Sequence, residues 1–267
     1  MAFMKEYHSY EDYELASNSL RAVCGMVLFS FAEYECSNKD LIIRNFIAKS
    51  SMSLKGIFSL WEIESYHDCW ILYRALLDRY LHLSHIGENN EFEQFDDWSF
   101  FKQMVSHNHV RSDARFKSEL DNPVYNISKE QKERLRALSK NKPKWKRPKA
   151  EQVAKDLDMD FIYKFGYDMA SMHVHPMAND GQQDFYTITK LKSDIDFPSQ
   201  ITVLNNSILV VTMLLQDSMY LTNFRWRPVV LDFINDIRKF LSQGDLTYRH
   251  TFKKIAELFP ENLGKAS

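Results

Sequence analysis

The chain has 267 residues, which is long enough to bury a sizeable core as one domain or as two closely fused domains. Hydrophobic residues make up 45% of the composition and charged residues 26%, which excludes a disordered chain. Lysine and arginine number 34 against 36 aspartates and glutamates, and the net charge of −2 gives no global attraction to nucleic acid or to an anionic membrane. Any such binding must come from a local basic patch.

Glycine is scarce in this sequence. The chain has 7 glycines, whereas average usage of about 7% would give roughly 19. Tight turns, hairpins and phosphate-binding loops depend on glycine, so a β-rich or doubly wound fold is disfavoured. We expect an all-α fold, a bundle of about seven to nine helices with at most one short strand or hairpin.

The cysteines and the apolar stretches indicate in which cellular compartment the protein is found. Three cysteines form no C-x-x-C pair and no zinc spacing, which is typical of reduced thiols. The longest apolar run, residues 201–221, is interrupted by polar residues such as Asn205 and Asp217, and this favours a buried helix over a membrane span. The first residues lack the pattern of a signal peptide. These features predict a soluble, cytoplasmic protein with no membrane partner.

Helical spacing of apolar residues recurs along most of the chain. The predicted helices are 10–48 with a break near 37–38, 53–86, 91–120 with a stop at 122–123, a short charged helix opening at the Ser128 capping box, 158–175, 198–223, 228–241 and 246–259. Pro176 disfavours helical geometry at His175 and ends the fifth of these. Residues 185–190 fit one short strand, and residues 140–149 fit a loop. We expect a single helical domain with a seam or a long basic loop at 120–150.

The strongest constellation is Tyr167-x-x-x-Ser171-x-x-x-His175. A spacing of four and four keeps the three side chains within about 80° on one helix face. His175 would sit in the last turn, where unpaired carbonyls favour an imidazolium that can donate a proton or hold a phosphate. The alternative is a structural ladder of hydrogen bonds against another helix.

A second constellation lies on the predicted helix 53–86. Arg74 and Asp78 are one turn apart, so that they can form an ion pair along the helix. Arg74 also shares its side of the helix with Trp70, Leu77 and Leu81. A guanidinium in apolar surroundings needs a partner, and the pair is either part of a site or a packing contact.

The sequence C-W-I-L-Y-R-A-L-L-D over residues 69–78, followed by Y-x-x-x-S-x-x-x-H-P over 167–176, resembles a bacterial helical family known only as a domain of unknown function. The resemblance covers about residues 50–220. In that family an Arg is followed four residues later by an acid, usually Glu, and a later helix carries Tyr, Ser and His. The resemblance implies one site composed of Arg74, Asp78, Tyr167, Ser171 and His175, with the shorter Asp in place of Glu.

The family is similar in outline to HEPN-like helical proteins, several of which are ribonucleases of toxin and phage-defence systems. That similarity implies a ribonuclease that needs no metal or cofactor, with Arg74 holding phosphate charge and His175 transferring a proton. It also implies a homodimer or a partner protein from the same defence system. The HEPN arginine and histidine would match Arg79 and His85, although Tyr80 replaces the small polar residue expected after the arginine. The alternative is a non-catalytic module that binds a ligand or a partner.

The loop 140–149 is rich in lysine and arginine and holds one tryptophan. Lys144, Lys146 and Arg147 are candidates for contacts with RNA phosphates, and Trp145 is a candidate for stacking on a base. The alternative is a solvated basic loop without a ligand.

The sequence also offers His173, His175, Asp180 and Asp184 as candidate metal ligands. Helical residues two apart point about 160° away from each other, so the two histidines cannot ligate one ion while the helix is intact. We therefore expect no bound metal.

Overall fold

The computed structural model describes residues 8–33, 35–119, 126–175, 177–178, 181–192 and 201–258. These residues form helices and connecting loops with no strand among them, which confirms the all-α prediction. The α-helices are α1 Tyr10–Ser30, α2 Asn38–Glu62, α3 Tyr66–Asn89, α4 Phe92–Ser112, α5 Lys129–Lys140, α6 Ala150–Asp156, α7 Asp160–Ile162, α8 Met169–Ser171, α9 Gln182–Thr189, α10 Thr202–Leu221, α11 Arg227–Gln243 and α12 Thr247–Leu258.

The helices belong to two compact units. The first unit runs up to His85 and resumes at Lys149, and the second comprises Ile86–Pro148. Helix α3 begins in the first unit and ends in the second.

The core of the first unit is centred on α10. This helix packs against α1, α2 and α11, and α11 packs against α12. Apolar residues of α10 such as Leu204, Ile208 and Leu215 are fully buried, which explains why its sequence is apolar nearly all round. Within the described ranges, no helix combines the length and the apolarity needed to cross a membrane.

Serine caps set the starts of several helices. Ser9 and Ser37 each accept a hydrogen bond from the backbone N–H three residues later, and the aspartate there accepts one from the cap. Ser128 and Gln131 form the predicted capping box at the start of α5. The break predicted near residues 37–38 is confirmed, because α2 begins directly after Ser37.

The predicted long helix over 53–86 is wrong. Its N-terminal part belongs to α2, which ends at Glu62, and α3 begins at Tyr66. Glu64 adopts a left-handed conformation with φ of 61°, and the Ser65 hydroxyl donates to the Asp68 carboxylate at 2.6 Å. This local side-chain bond opens a new helix and redirects the chain where the apolar pattern continues without a break.

The short strand predicted over residues 185–190 is also wrong. These residues lie in α9 and at its C-cap, Lys190, which has a φ of 55°. The Thr189 hydroxyl donates to the Phe185 carbonyl at 2.7 Å, so the threonine is accommodated inside the helix. The chain break predicted at residues 122–123 lies outside the described residues.

The second unit contains α4, a 3-10 helix over Ala114–Glu119, and α5. Arg134 of α5 forms ion pairs with Asp96 and Asp97 of α4, each at 2.7 Å. Its guanidinium also lies 4.4 Å from the ring centre of Phe100. These contacts hold the charged helix α5 against the aromatic helix α4.

A polar network joins α3, α10 and α11 in the first unit. The Ser84 hydroxyl donates to the Asp217 carboxylate at 2.5 Å, and Arg238 donates to the Gln216 amide oxygen. Burial raises the pKa of Asp217, although the Ser84 hydrogen bond and the charge of Arg238 oppose the shift. Burial likewise lowers the pKa of Arg238.

The raised pKa of Asp217 makes the free energy of unfolding depend on pH. Between the unfolded pKa of about 3.9 and the higher folded value, the folded chain keeps a proton that the unfolded chain releases, so stability falls as pH rises through this window. Asp217→Asn removes this charge and keeps an acceptor for Ser84. We expect the stability of D217N relative to the parent to increase as pH rises above about 4, measured by urea denaturation. The exposed Asp232→Asn is the control, and a flat or decreasing difference for D217N would contradict the assignment.

Candidate functional site

The predicted helix 158–175 is built from three consecutive pieces. Helix α7 passes into a π-helical turn over Tyr163–Asp168, which passes into α8. We call this continuous segment the 160–171 helix. A π turn widens the helix locally and is frequent at functional sites, and here it lies beside α3.

Gly166 allows the 160–171 helix to approach α3 closely. A Cβ atom at this position would lie 2.8 Å from the Tyr73 hydroxyl and 3.3 Å from Leu77 Cδ2. Both neighbours are buried side chains of α3. The missing side chain therefore sets the distance between the two helices and brings the next polar residues of each helix into contact.

Arg74 of α3 is held by three side chains. Its Nε donates to Ser171 Oγ at 2.8 Å, its Nη2 to the Tyr167 hydroxyl at 2.6 Å, and its Nη1 to Asp78 Oδ2 at 3.2 Å. Ser171 Oγ in turn donates to the Tyr167 carbonyl at 2.7 Å. We call Arg74, Asp78, Tyr167 and Ser171 the Arg74 cluster. The structure thus brings together four of the five residues expected to share one site.

The cluster is partly buried and still open to solvent. The side chains of Arg74 and Asp78 are 24% and 16% exposed. The Arg74 guanidinium lies 4.4 Å from the centre of the Tyr167 ring, which stacks on the ring of Tyr163 at 5.4 Å. Burial raises the pKa of the Tyr163 phenol, and nearby Glu151 and Asp168 raise it further. The Tyr163 phenol is therefore neutral at physiological pH.

His175 lies beyond the end of α8, whose last residue is Ser171. The N–H groups of residues 172, 173 and 174 bond to carbonyls three residues earlier, so the chain tightens into 3-10 geometry beyond Ser171. Four residues rotate by about 40° in an α-helix and by about 120° in a 3-10 helix, which turns His175 away from the Ser171 face. The ring is exposed and forms no hydrogen bond with Arg74. The expected α-helix up to His175 is wrong, because α8 ends at Ser171.

A pair of histidines beside the cluster was not anticipated. The Nδ1 atoms of His67 and His173 lie 3.2 Å apart, and the His173 ring stacks on Trp70 at 5.7 Å. In this contact one ring nitrogen donates and the other accepts. The spacing of His67, Trp70 and Arg74 places them on one side of α3, which the sequence could have revealed. The contact with His173 depends on helix packing.

Arg79 is used in packing. Its Nη1 donates to Ser53 Oγ of α2 and to the carbonyl of Ala75, each at 3.2 Å. Burial lowers the pKa of this guanidinium, and the charge of Asp78 opposes the shift. These contacts bind α3 to α2 and favour a structural role for Arg79 over the HEPN-type role that His85 would share.

The basic loop is anchored by its tryptophan. In the second unit the Trp145 indole N–H donates to Glu91 at 2.7 Å, and the ring packs edge-on against Phe95 and Trp98 at 5.3 and 5.0 Å. These contacts occupy part of the ring and reduce the surface available for stacking on a base. Lys144, Lys146 and Arg147 are exposed, as phosphate contacts require.

The described residues hold no group of three or more His, Cys, Asp or Glu side chains that could bind a metal ion. Of the residues considered for a metal site, Asp180 lies outside the described part of the chain. His173 contacts His67, as stated above, and His175 is exposed on the turn that follows α8.

Fold and site define an all-α protein in which a partly buried arginine joins two helices of one unit. The chain belongs to a family of unknown function (DUF5677), which matches residues 40–186 and so includes the whole Arg74 cluster. Comparison with curated proteins and with solved structures finds no match.

Gly166→Ala tests the close approach of the two helices. The added methyl meets the buried Tyr73 hydroxyl, and we expect overpacking to lower the free energy of unfolding by about 1–3 kcal/mol. Tyr73→Phe in the same chain removes the nearest atom and should restore most of the loss. Urea denaturation of both single variants and of the double variant measures the effect. Equal stability of G166A and the parent would show that the helices are not in tight contact here.

Proposed function

We propose that the chain is a helical binding module whose Arg74 cluster recognises a phosphate group of RNA. One observation carries the proposal: Arg74 is fixed by three hydrogen bonds and keeps unused donors. A guanidinium has five N–H groups, and three of those of Arg74 have acceptors among the described side chains. The remaining two are oriented by the same contacts and lie in a side chain that is 24% exposed.

The chemistry of the cluster suits a phosphate. A guanidinium whose position is fixed can present two parallel N–H donors to two oxygens of one phosphate, and such charge-assisted bonds are about twice as strong as neutral ones. Asp78 balances the charge of Arg74, so the cluster alone gives moderate affinity. Binding of a polyanion therefore requires further positive charge elsewhere on the chain.

That charge is concentrated in residues 129–149, which belong to the second unit except for Lys149. Residues 129–149 contain ten lysines and arginines and two glutamates, a net charge of +8 in a chain whose total is −2. Lys144, Lys146 and Arg147 of the loop are exposed and can contact successive phosphates. A basic segment of this density favours RNA over a single small anion as the ligand.

A second candidate function is that of a metal-independent ribonuclease, a toxin-type effector in phage defence that works as a homodimer or with a partner protein of that system. Resemblance to HEPN-like proteins suggests it, and the exposed ring of His175 directly beyond the Arg74 cluster favours it. In such a reaction the ribose 2′-oxygen loses its proton and attacks the phosphorus while the 5′-oxygen leaves with a proton. His175 would transfer one of these protons, and Arg74 would stabilise the charge on phosphate.

The binding function has the more direct support. Arg74 already has the partners that orient it, whereas His175 lies beyond the end of α8 and forms no hydrogen bond with Arg74. We also propose a cytoplasmic location, in keeping with Cys24, Cys36 and Cys69, none of which forms a disulfide.

Arg74→Ala tests the binding proposal. Loss of a charge-assisted contact is worth about 1.5–3 kcal/mol, so we expect the Kd for a short single-stranded RNA to rise by about 10- to 100-fold. Fluorescence anisotropy at low and physiological salt gives the Kd and its salt dependence, and ATP as a second probe separates RNA from a mononucleotide. The exposed Arg115→Ala is the matched control and should bind normally. Unchanged RNA binding by a folded R74A chain would overturn the proposal.

His175→Ala tests the ribonuclease candidate separately. If the chain cleaves RNA, the parent should do so in EDTA, and H175A should lose cleavage while its Kd for RNA stays the same. The exposed His250→Ala on α12 is the control and should cleave at the parental rate. If the parent protein leaves the RNA intact, the ribonuclease candidate is wrong. That result does not contradict the binding proposal.

A further inference from the structure

Exposed apolar side chains are concentrated in one segment of the first unit. Seventeen large apolar side chains are exposed among the described residues, and nine of them lie between Phe161 and Leu191. Scattered exposed apolar residues are normal on a monomer, whereas a local concentration marks an interaction surface. The segment 161–191 is therefore the part of this chain whose surface most requires a partner.

Four of these residues form a continuous stripe along the 160–171 helix and the turn after it. Phe161, Phe165, Met169 and Met172 are spaced by four, four and three residues, and their exposed fractions are 73%, 55%, 47% and 51%. The rings of Phe161 and Phe165 lie 4.8 Å apart. We call these four residues the apolar stripe. It runs along the face of the helix away from Ala170, which is fully buried.

We propose that a second copy of this chain covers the apolar stripe, with the two 160–171 helices antiparallel about a two-fold axis near Phe165. In an antiparallel pair whose axis passes near residue 165, two residues face each other when their numbers add up to 330. Phe165 then meets Phe165 of the other copy, and Phe161 meets Met169. Phe161, Phe165 and Met169 thus pair among themselves, as the self-complementary interface of a two-fold dimer requires.

The size of the stripe matches the apolar part of a stable interface. Phe and Met side chains bury about 200 Å² each, so the exposed fractions of the four residues amount to roughly 450 Å² per copy. A standard interface buries about 800 Å² per partner, of which about 56–65% is apolar. The apolar stripe supplies nearly all of that apolar area. Polar residues beside the stripe would supply the polar part of the interface.

Light scattering after size-exclusion chromatography tests the proposal on the full chain. We expect a mass of twice 31.6 kDa at about 100 µM, and a dimer Kd that rises at least tenfold in Phe165→Asp. The matched control is Ile63→Asp, which changes a side chain that is 72% exposed outside the segment and should leave the dimer intact. A monomeric parent chain at this concentration, or an undiminished F165D dimer, overturns the proposal.

Cross-linking tests the antiparallel geometry itself. Phe165→Cys should form a disulfide between copies on mild oxidation, because residue 165 lies near the axis, whereas Ile63→Cys should not. A dimeric Phe165→Cys chain that forms no disulfide between copies would overturn this placement of the axis.

Discussion

The contact between Arg74 and the 160–171 helix is the interaction on which the site depends. A guanidinium that is three-quarters buried is stable only if its donors have acceptors, and Ser171, Tyr167 and Asp78 supply them. Gly166 makes these distances attainable, because a side chain there would collide with Tyr73. The same contacts therefore determine both how α3 packs against the 160–171 helix and how the Arg74 guanidinium is oriented.

In the proposed function, the same contacts that hold the fold also prepare a binding group. Immobilising an arginine side chain on binding normally loses conformational entropy, and here folding has already ordered it. The hydrogen bonds fix the plane of the guanidinium and leave donors for an incoming anion. A structural role and a recognition role for Arg74 are thus compatible, and the family match over residues 40–186 covers every residue involved.

The 160–171 helix has two faces with different tasks. Tyr167 and Ser171 face α3 and hold Arg74, whereas Phe165 and Met169 are exposed on the other side. A helix of about twelve residues is marginal in water by itself, so it depends on what covers each face. A second copy over the exposed face would stabilise the helix that orients Arg74, and assembly would then support the site.

Local patterns in the sequence determined the helices and most of their starts, because apolar periodicity and serine caps such as Ser37 and Ser128 act within a few residues. The pairing of Arg74 with Asp78 was likewise readable from their spacing. Tertiary structure decided the rest. The break at Ser65, the tightening beyond Ser171 that turns His175 away, and the packing of Trp145 against Phe95 arise where a local bond or a distant neighbour outweighs periodicity. Sequence spacing specifies which residues share a helix face, but only packing determines what that face meets.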